Sequence, residues 1–180
     1  YKNANKSHEL NYKNNKCIGL STLWYKNGIK KSEEIYKNGI LNGLVTQWYK
    51  NGIKKSEEIY KNGDLNGPAT RWYKNGNKKI EKTYEKHELK GSFTLWYKNG
   101  QKKAQTTIKK TKFIGLMTNW YKSGQKRHQG NVKFWNIMGE DKDKKIKHGL
   151  WTYWYKNGQK ESEITYNNGK EDGPFVGWYM

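Results

Sequence analysis

The chain has 180 residues, 36 Lys+Arg against 16 Asp+Glu, and a formal net charge of +20. Leu, Ile, Val and Phe make only 29 of the 180, which excludes a thick aliphatic core and, with so much charge, ordinarily reads as disorder. Nine Trp and fourteen Tyr recurring at a fixed interval exclude that reading in turn, because rings supply the apolar area.

In chain order, the start, Tyr1-Lys2-Asn3, has neither an initiator Met nor a signal peptide. It reads as a trimmed or mature fragment, and this tilts the expected location toward the cell surface or outside the cell. No stretch approaches the roughly 18 apolar residues of a membrane span. Cys17 is the single cysteine, so no intramolecular disulfide and no C-x-x-C metal or redox motif is expected.

From there a repeat dominates. Trp-Tyr pairs begin at Trp24, Trp48, Trp72, Trp96, Trp120, Trp154 and Trp178, at intervals of 24 residues except for one of 34 between Trp120 and Trp154. With each Trp as position 0, Gly occupies −5 in every copy and Lys occupies +2 and +6 in all six copies that continue. Asn-Gly stands at +3 and +4 in five of those six, the exception being Ser123-Gly124, and again at +14 and +15 in Asn38-Gly39, Asn62-Gly63 and Asn168-Gly169. Asn-Gly between β-prone runs signals a two-residue type I′ hairpin turn.

Each unit therefore predicts two antiparallel hairpins, and 1–180 reads as one repeat domain of about seven units with a ten-residue insertion. A two-residue first turn would set Tyr25 opposite Lys30, Trp24 opposite Lys31 and Gly19 opposite Tyr36. The second turn then slides each copy by two residues, so the sheet either shears steadily or absorbs the offset in a bulge at the −5 glycine. Trp shares a face with the residues at −2 and −4. Tyr at +1 and +12 shares the other with −3. The expected fold is all-β, an elongated single-layer antiparallel meander of β-hairpins held by ladders of like residues.

The pattern from Gly19 to Gly43, repeated from Gly43 to Gly67, resembles the bacterial variant of the MORN repeat found in YwqK-type antitoxins. That resemblance implies a row of hairpins, roles in binding protein or lipid, and no catalytic machinery. The chain departs from it at Thr106 to Phe113 and in the inserted unit.

Rows of lysine two strands apart, about 9–10 Å, and interleaved rings suit an anionic surface. The candidate binding residues are Tyr25, Lys30, Tyr49, Lys54, Tyr73, Lys78, Tyr97, Lys102, Tyr121, Lys126, Tyr155 and Lys160. The expected partners are an acidic protein or an anionic membrane surface. Nucleic acid is expected to bind only non-specifically, since 34 of the 36 basic residues are Lys and base reading favours Arg. Lysine in exposed strands also blocks unwanted sheet pairing, and the last copy, ending at Trp178-Tyr179-Met180, suggests an edge-strand homodimer. The inserted stretch, Phe134-Trp135-Asn136-Ile137-Met138 before Glu140-Asp141-Lys142-Asp143, reads as a docking tip or as a longer hairpin packed on its neighbours.

No catalytic residues are expected: Ser32, Ser56 and Ser162 recur as strand residues, whereas catalysis needs one asymmetric cluster. His8, His87, His128 and His148 lack metal-ligand spacing, and Asp141-Lys142-Asp143 lacks the rest of a calcium loop. No metal or cofactor is expected. The sequence thus points to a non-enzymatic binding scaffold, with an antitoxin or immunity protein and a bacterial cell-surface adhesion protein as alternatives.

Overall fold

The computed structural model describes residues 5–108, 113–134 and 145–180, all strand, turn or loop, with no helix among them. By contacts the chain divides into two compact units, 1–89 and 90–180.

The first unit contains β1 (His8–Glu9), β2 (Tyr12–Lys13), β3 (Lys16–Cys17), β4 (Gly19–Trp24), β5 (Lys30–Lys37), β6 (Ile40–Trp48), β7 (Lys54–Lys61), β8 (Asp64–Trp72) and β9 (Lys78–Glu85). Its sheet runs β1-β4-β5-β6-β7-β8-β9, every pair antiparallel, with β2 and β3 as a separate small hairpin. The second unit is entered within β10 (Glu88–Trp96) and continues through β11 (Lys102–Ile108), β12 (Phe113–Trp120), β13 (Lys126–Phe134), β14 (Lys145–Trp154), β15 (Lys160–Asn167) and β16 (Lys170–Gly177), again in chain order and antiparallel. The meander expected from the repeat is what forms.

Both turn types follow from backbone chemistry, but only one is the expected type. At the second turn Asn38 and Gly39 both take positive φ, 53° and 82°, and Lys37 pairs with Ile40. This is the two-residue I′ turn. Asn62-Gly63 and Asn168-Gly169 repeat it, and Lys86-His87 adopt it without either signal residue, at φ 50° and 66°.

The first turn is different. Gly28 alone is positive, at 84°, its N–H donates to the Tyr25 carbonyl at 2.9 Å, and the Tyr25 N–H donates to the Ile29 carbonyl at 2.8 Å. That is a three-residue loop in which a type I turn is followed by a left-handed glycine, the other hairpin geometry compatible with strand twist. The expected pairs Tyr25 with Lys30 and Trp24 with Lys31 are therefore corrected: Trp24 faces Lys30, and the register steps by one between Leu23 and Trp24. Gly19 does face Tyr36.

The second offset is absorbed in a bulge. The register of β5 on β6 jumps by two between Glu34 and Tyr36, where Asn42-Gly43-Leu44 oppose Ile35. Gly43 sits there at φ 145°, and a Cβ on it would lie 2.9 Å from the Ile35 Cβ. The bulge cancels the slide, so equivalent residues line up across strands. Thr22, Glu33, Thr46, Glu57, Thr70 and Glu81 form one continuous row in the first unit. Successive tryptophans of that unit, two residues further along, share one face.

Residues before Gly19 complete this pattern. Glu9 faces Thr22 as Glu33 faces Thr46, and Lys6 lies over the Trp24 ring, 6.0 Å from its centroid. The inserted unit is a longer hairpin, paired from His128 with Tyr153 out to Phe134 with Lys145. Its expected tip, 135–144, lies outside the described residues, as do 109–112 in the other irregular stretch.

Stability is distributed along the rims as well as the strands. Each second turn in the first unit bonds to its predecessor: Gly39 N–H to the Cys17 carbonyl, Gly63 to Leu41 and His87 to Leu65, at 2.8 to 2.9 Å. On the opposite rim, Asn27 Nδ2 donates to the Lys50 carbonyl and Asn51 Nδ2 to that of Lys74. What is buried is thin and mostly small: Val45, Ala69 and Ala104 beside Ser32, Ser56, Thr46 and Thr94. Among the described residues, a buried hydrophobic cluster of Val132, Trp151 and Tyr166 lies in the second unit.

Candidate functional site

The twelve predicted binding residues fall into two ladders on opposite faces. The lysines at +6 lie on the Trp face. Lys30 is 6.0 Å from the Trp48 ring centroid, Lys54 5.9 Å from that of Trp72, Lys102 5.7 Å from Trp120, Lys126 5.4 Å from Trp154, and Lys160 5.3 Å from Trp178. Each holds the residue three positions on. Lys30, Lys54, Lys78 and Lys160 pair with Glu33, Glu57, Glu81 and Glu163, whereas Lys102 and Lys126 donate to neutral Gln105 and Gln129.

The tyrosines at +1 face the other way and are spent on the scaffold. The Tyr25 hydroxyl donates to the Trp48 carbonyl at 2.8 Å, Tyr49 to Trp72 at 2.9 Å, and Tyr97, Tyr121 and Tyr155 to Trp120, Trp154 and Trp178 at 3.0 Å. A hydroxyl of one copy thereby closes onto the backbone of the next. At Tyr73, Tyr97 and Tyr121 the cation that meets the ring is the residue at +7, which the sequence reading did not single out; in the copy at Trp154 that position is Glu161. Lys79 is 5.6 Å from the Tyr73 centroid, Lys103 5.8 Å from Tyr97, and Arg127 5.8 Å from Tyr121. The structure therefore does not bring Tyr25 and Lys30, or their equivalents, into one composite site; it pairs the Trp row with +6, and Tyr73, Tyr97 and Tyr121 with +7. The one-residue register step at the first turn is the cause, and a lysine at both +6 and +7 was the signal that either could serve.

Further in on the Tyr face, the first unit is acidic. Tyr36 donates to Glu34 at 2.7 Å, and that carboxylate, with burial, pushes the phenol up to about 12. Tyr60 donates to Glu58, and burial with the same carboxylate raises its pKa. Arg71 closes a 3.0 Å ion pair with Glu58 inside a hollow also lined by Tyr49, Ser56 and Lys79.

The second unit holds a cluster that the sequence reading missed. Lys147 Nζ donates to the hydroxyls of Tyr153 at 2.6 Å and Tyr166 at 3.1 Å, and lies 4.4 to 5.3 Å from the ring centroids of Tyr166, Tyr153 and Trp151. Burial alone would lower the lysine pKa; the two hydroxyl bonds outweigh it and the net direction is up. Trp151 packs flat against Gly130, where a Cβ would come within 2.4 Å of the indole, and its Nε1 donates to the Asn131 carbonyl at 3.0 Å. His128 stacks beside Trp151 and Tyr153 at 5.7 and 5.9 Å, and burial, with Arg127 and Lys147 nearby, lowers its pKa to about 4. Lysine, tryptophan and tyrosine at −7, −3 and −1 of a single copy were the available signal, because the other copies carry smaller residues or no ring at most of these places.

Among the described residues no group of three or more His, Cys, Asp or Glu is placed to hold a metal ion. The cage is already filled by Lys147, so what the surface offers is cations and rings arranged in rows.

This geometry is that of a hairpin-repeat protein, a class whose surfaces are ladders rather than clefts. The MORN repeat variant model matches four segments, 18–38, 41–62, 65–86 and 147–168. Those four segments are similar to MORN repeats. No curated protein matches the chain.

Proposed function

We propose that the protein is a non-enzymatic scaffold that binds an anionic macromolecular surface, an acidic protein or a charged membrane face, through its Tyr face and the adjoining first-turn rim. MORN repeats are modules that often occur in binding proteins, and the observation that carries this reading is the in-register stacking of the copies. The rim lysines at +2, and the cations at +7 from Lys31 to Arg127, recur every second strand, about 9–10 Å apart, close to the Debye length of about 10 Å at 0.1 M salt. Neighbours at that spacing repel weakly, while a multivalent anion engages several together. Lysines bring attraction and rings bring contact area. The test is binding to acidic liposomes, to acidic proteins and to nucleic acid at rising salt. Affinity for at least one class that falls steeply with salt is the expected result, and salt-insensitive or absent binding to all three rejects the reading.

A second reading, a protein that neutralises a partner toxin, is favoured by a different observation. On the Trp face of the first unit, Leu20, Ile35 and Leu44 are exposed by 48, 37 and 42% and lie side by side across β4, β5 and β6. An apolar row of this kind suits a protein surface. Co-purification with the product of a neighbouring gene, lost on Leu44→Glu, is the expected outcome; retention in that variant removes this reading.

A further inference from the structure

The lysines are spread along the whole chain, but the carboxylates are not. From 89 to 139 there is no Asp or Glu, while that stretch carries eleven Lys and Arg; all seven acidic residues of the second unit lie at or beyond Glu140. Its described part is β10 through β13.

In β11 and β13 the loss of acid falls at +9 and +10, where the first unit has glutamates; Glu163 keeps the +9 acid in β15. On the Trp face, Gln105 and Gln129 stand where Glu33 and Glu57 neutralise their lysines. On the Tyr face, the row that reads Ser21, Glu34, Val45, Glu58, Ala69 in the first unit reads Phe93, Thr106, Met117, Gly130, Trp151 in the second. The Glu58–Arg71 ion pair has Thr106 and Asn119 as its counterpart. Thr106 Oγ1 and Asn119 Nδ2 are both buried without a hydrogen-bond partner.

Two rows with different chemistry result. The outer one alternates ring and cation: Tyr97 with Lys103, Tyr121 with Arg127. The inner one, four residues inboard along the strands and so about 13 Å away, presents the half-buried Phe93 and Met117 and carries no charge. An acidic peptide would satisfy the outer row and find nothing for its carboxylates on the inner one. A single nucleic-acid strand offers both components: phosphates for the cations, and flat unpaired bases for rings and apolar side chains. Resting on the anion-binding part of the reading above, with nucleic acid in place of an acidic protein or a membrane on this stretch, we propose that the Tyr face of β10–β13 is a sequence-tolerant binding surface for single-stranded nucleic acid, with Lys103, Arg127 and the rim lysine Lys122 on phosphates and Phe93, Tyr97 and Met117 against bases. The shortage of Arg fits tolerance of sequence.

The experiment is fluorescence anisotropy of the whole chain with a labelled 20-nucleotide single strand of mixed sequence. Its duplex, inorganic polyphosphate, polyglutamate and phosphatidylglycerol vesicles serve as competitors. The single strand is expected to be the strongest of these, and with about three phosphates neutralised its log affinity falls against log salt with a slope of about −2. Lys103→Glu with Arg127→Glu weakens it about tenfold or more, while Lys31→Glu with Lys55→Glu in the first unit leaves it within about twofold. Lys103→Gln with Arg127→Gln is the milder pair should charge reversal disturb folding, checked by circular dichroism. Polyphosphate, polyglutamate or vesicles competing as well as the single strand would overturn the ligand assignment and leave the anion-binding scaffold standing. Single-strand binding that depends on Lys31 and Lys55 and ignores Lys103 and Arg127 would overturn the location. Salt-insensitive or absent binding to every probe would remove both readings.

Discussion

The two units are built on one repeat and use it differently. In the first, the copies at Trp24 and Trp48 are nearly superimposable in sequence, their +6 lysines pair with glutamates, and the Tyr face contains Glu34 and Glu58 held by Tyr36, Tyr60 and Arg71. In the second, the −5 glycine, the Trp and the Lys-x-Gly turn persist, but from β10 to β14 the inner positions are exchanged for Gln, Thr, Gly, Met and large rings, and only Glu163 keeps the +9 acid. The comparison separates what the sheet needs from what it carries. Positions that set backbone geometry or close onto the next copy, such as the −5 glycine and the +1 Tyr hydroxyl, are kept in both units. The residues at +9 and +10 point into ladders without fixing the backbone, and they are free to change the charge of a face.

The sharpest way to break this division is to restore a side chain where the second unit gave one up. Gly130→Ala places a Cβ against the Trp151 ring and is expected to cost about 2–3 kcal/mol by overpacking. Glu34→Ala, at the equivalent place in the first unit, should cost clearly less by urea denaturation. Equal losses would mean that Trp151 is not anchored on Gly130.

Next in size is the copy-to-copy tie that both units share. Tyr49→Phe and Tyr121→Phe each remove a hydroxyl bonded to the following Trp carbonyl, worth about 1 kcal/mol apiece. A change in one unit and none in the other, followed by chemical denaturation, would show that the tie is not common to both.

A smaller effect depends on pH and belongs to the second unit alone. The folded-state value of His128, about 4, lies below its ordinary 6.5, so between those values the unfolded chain binds the extra proton and stability falls as pH falls. Thermal melts of His128→Gln should decline less from pH 6.5 toward pH 4.5 than those of the parent. Parallel curves would place the histidine in water.

The smallest expected stability change sharpens the comparison most directly. Gln105→Glu with Gln129→Glu installs the ion pairs of the first unit in the second, and exposed pairs of this kind shift stability by no more than about 0.5 kcal/mol. Any effect on anion binding is then electrostatic, visible as a shallower salt dependence with an unchanged melting temperature.

Much of this was legible without coordinates. The 24-residue period, the I′ turns at Asn38-Gly39 and Asn62-Gly63 and the pairing of Gly19 with Tyr36 follow from local backbone rules; the bulge at Gly43 was one of two ways to absorb the offset, and the structure chose it over a steady shear. The turn at Lys26-Asn27-Gly28 did not, because Asn-Gly is compatible with either a two-residue or a three-residue loop, which differ in the backbone of Lys26 and in the sign of φ at Asn27. That single residue of register, confined to the turn end of the strands, moved the +6 lysines to the Trp face, which is why Lys30 meets Trp48 and not Tyr25.

The sequence by itself determined the repeating ribbon, its two turns per copy and the face on which each ring stands, since those depend on residues close together in the chain. Only the tertiary structure decided which cation meets which ring, that Lys147 lies among Trp151, Tyr153 and Tyr166, and that Thr106 and Asn119 replace an ion pair. These are contacts between copies, and a one-residue step at a turn or a bulge changes them while the local pattern reads the same.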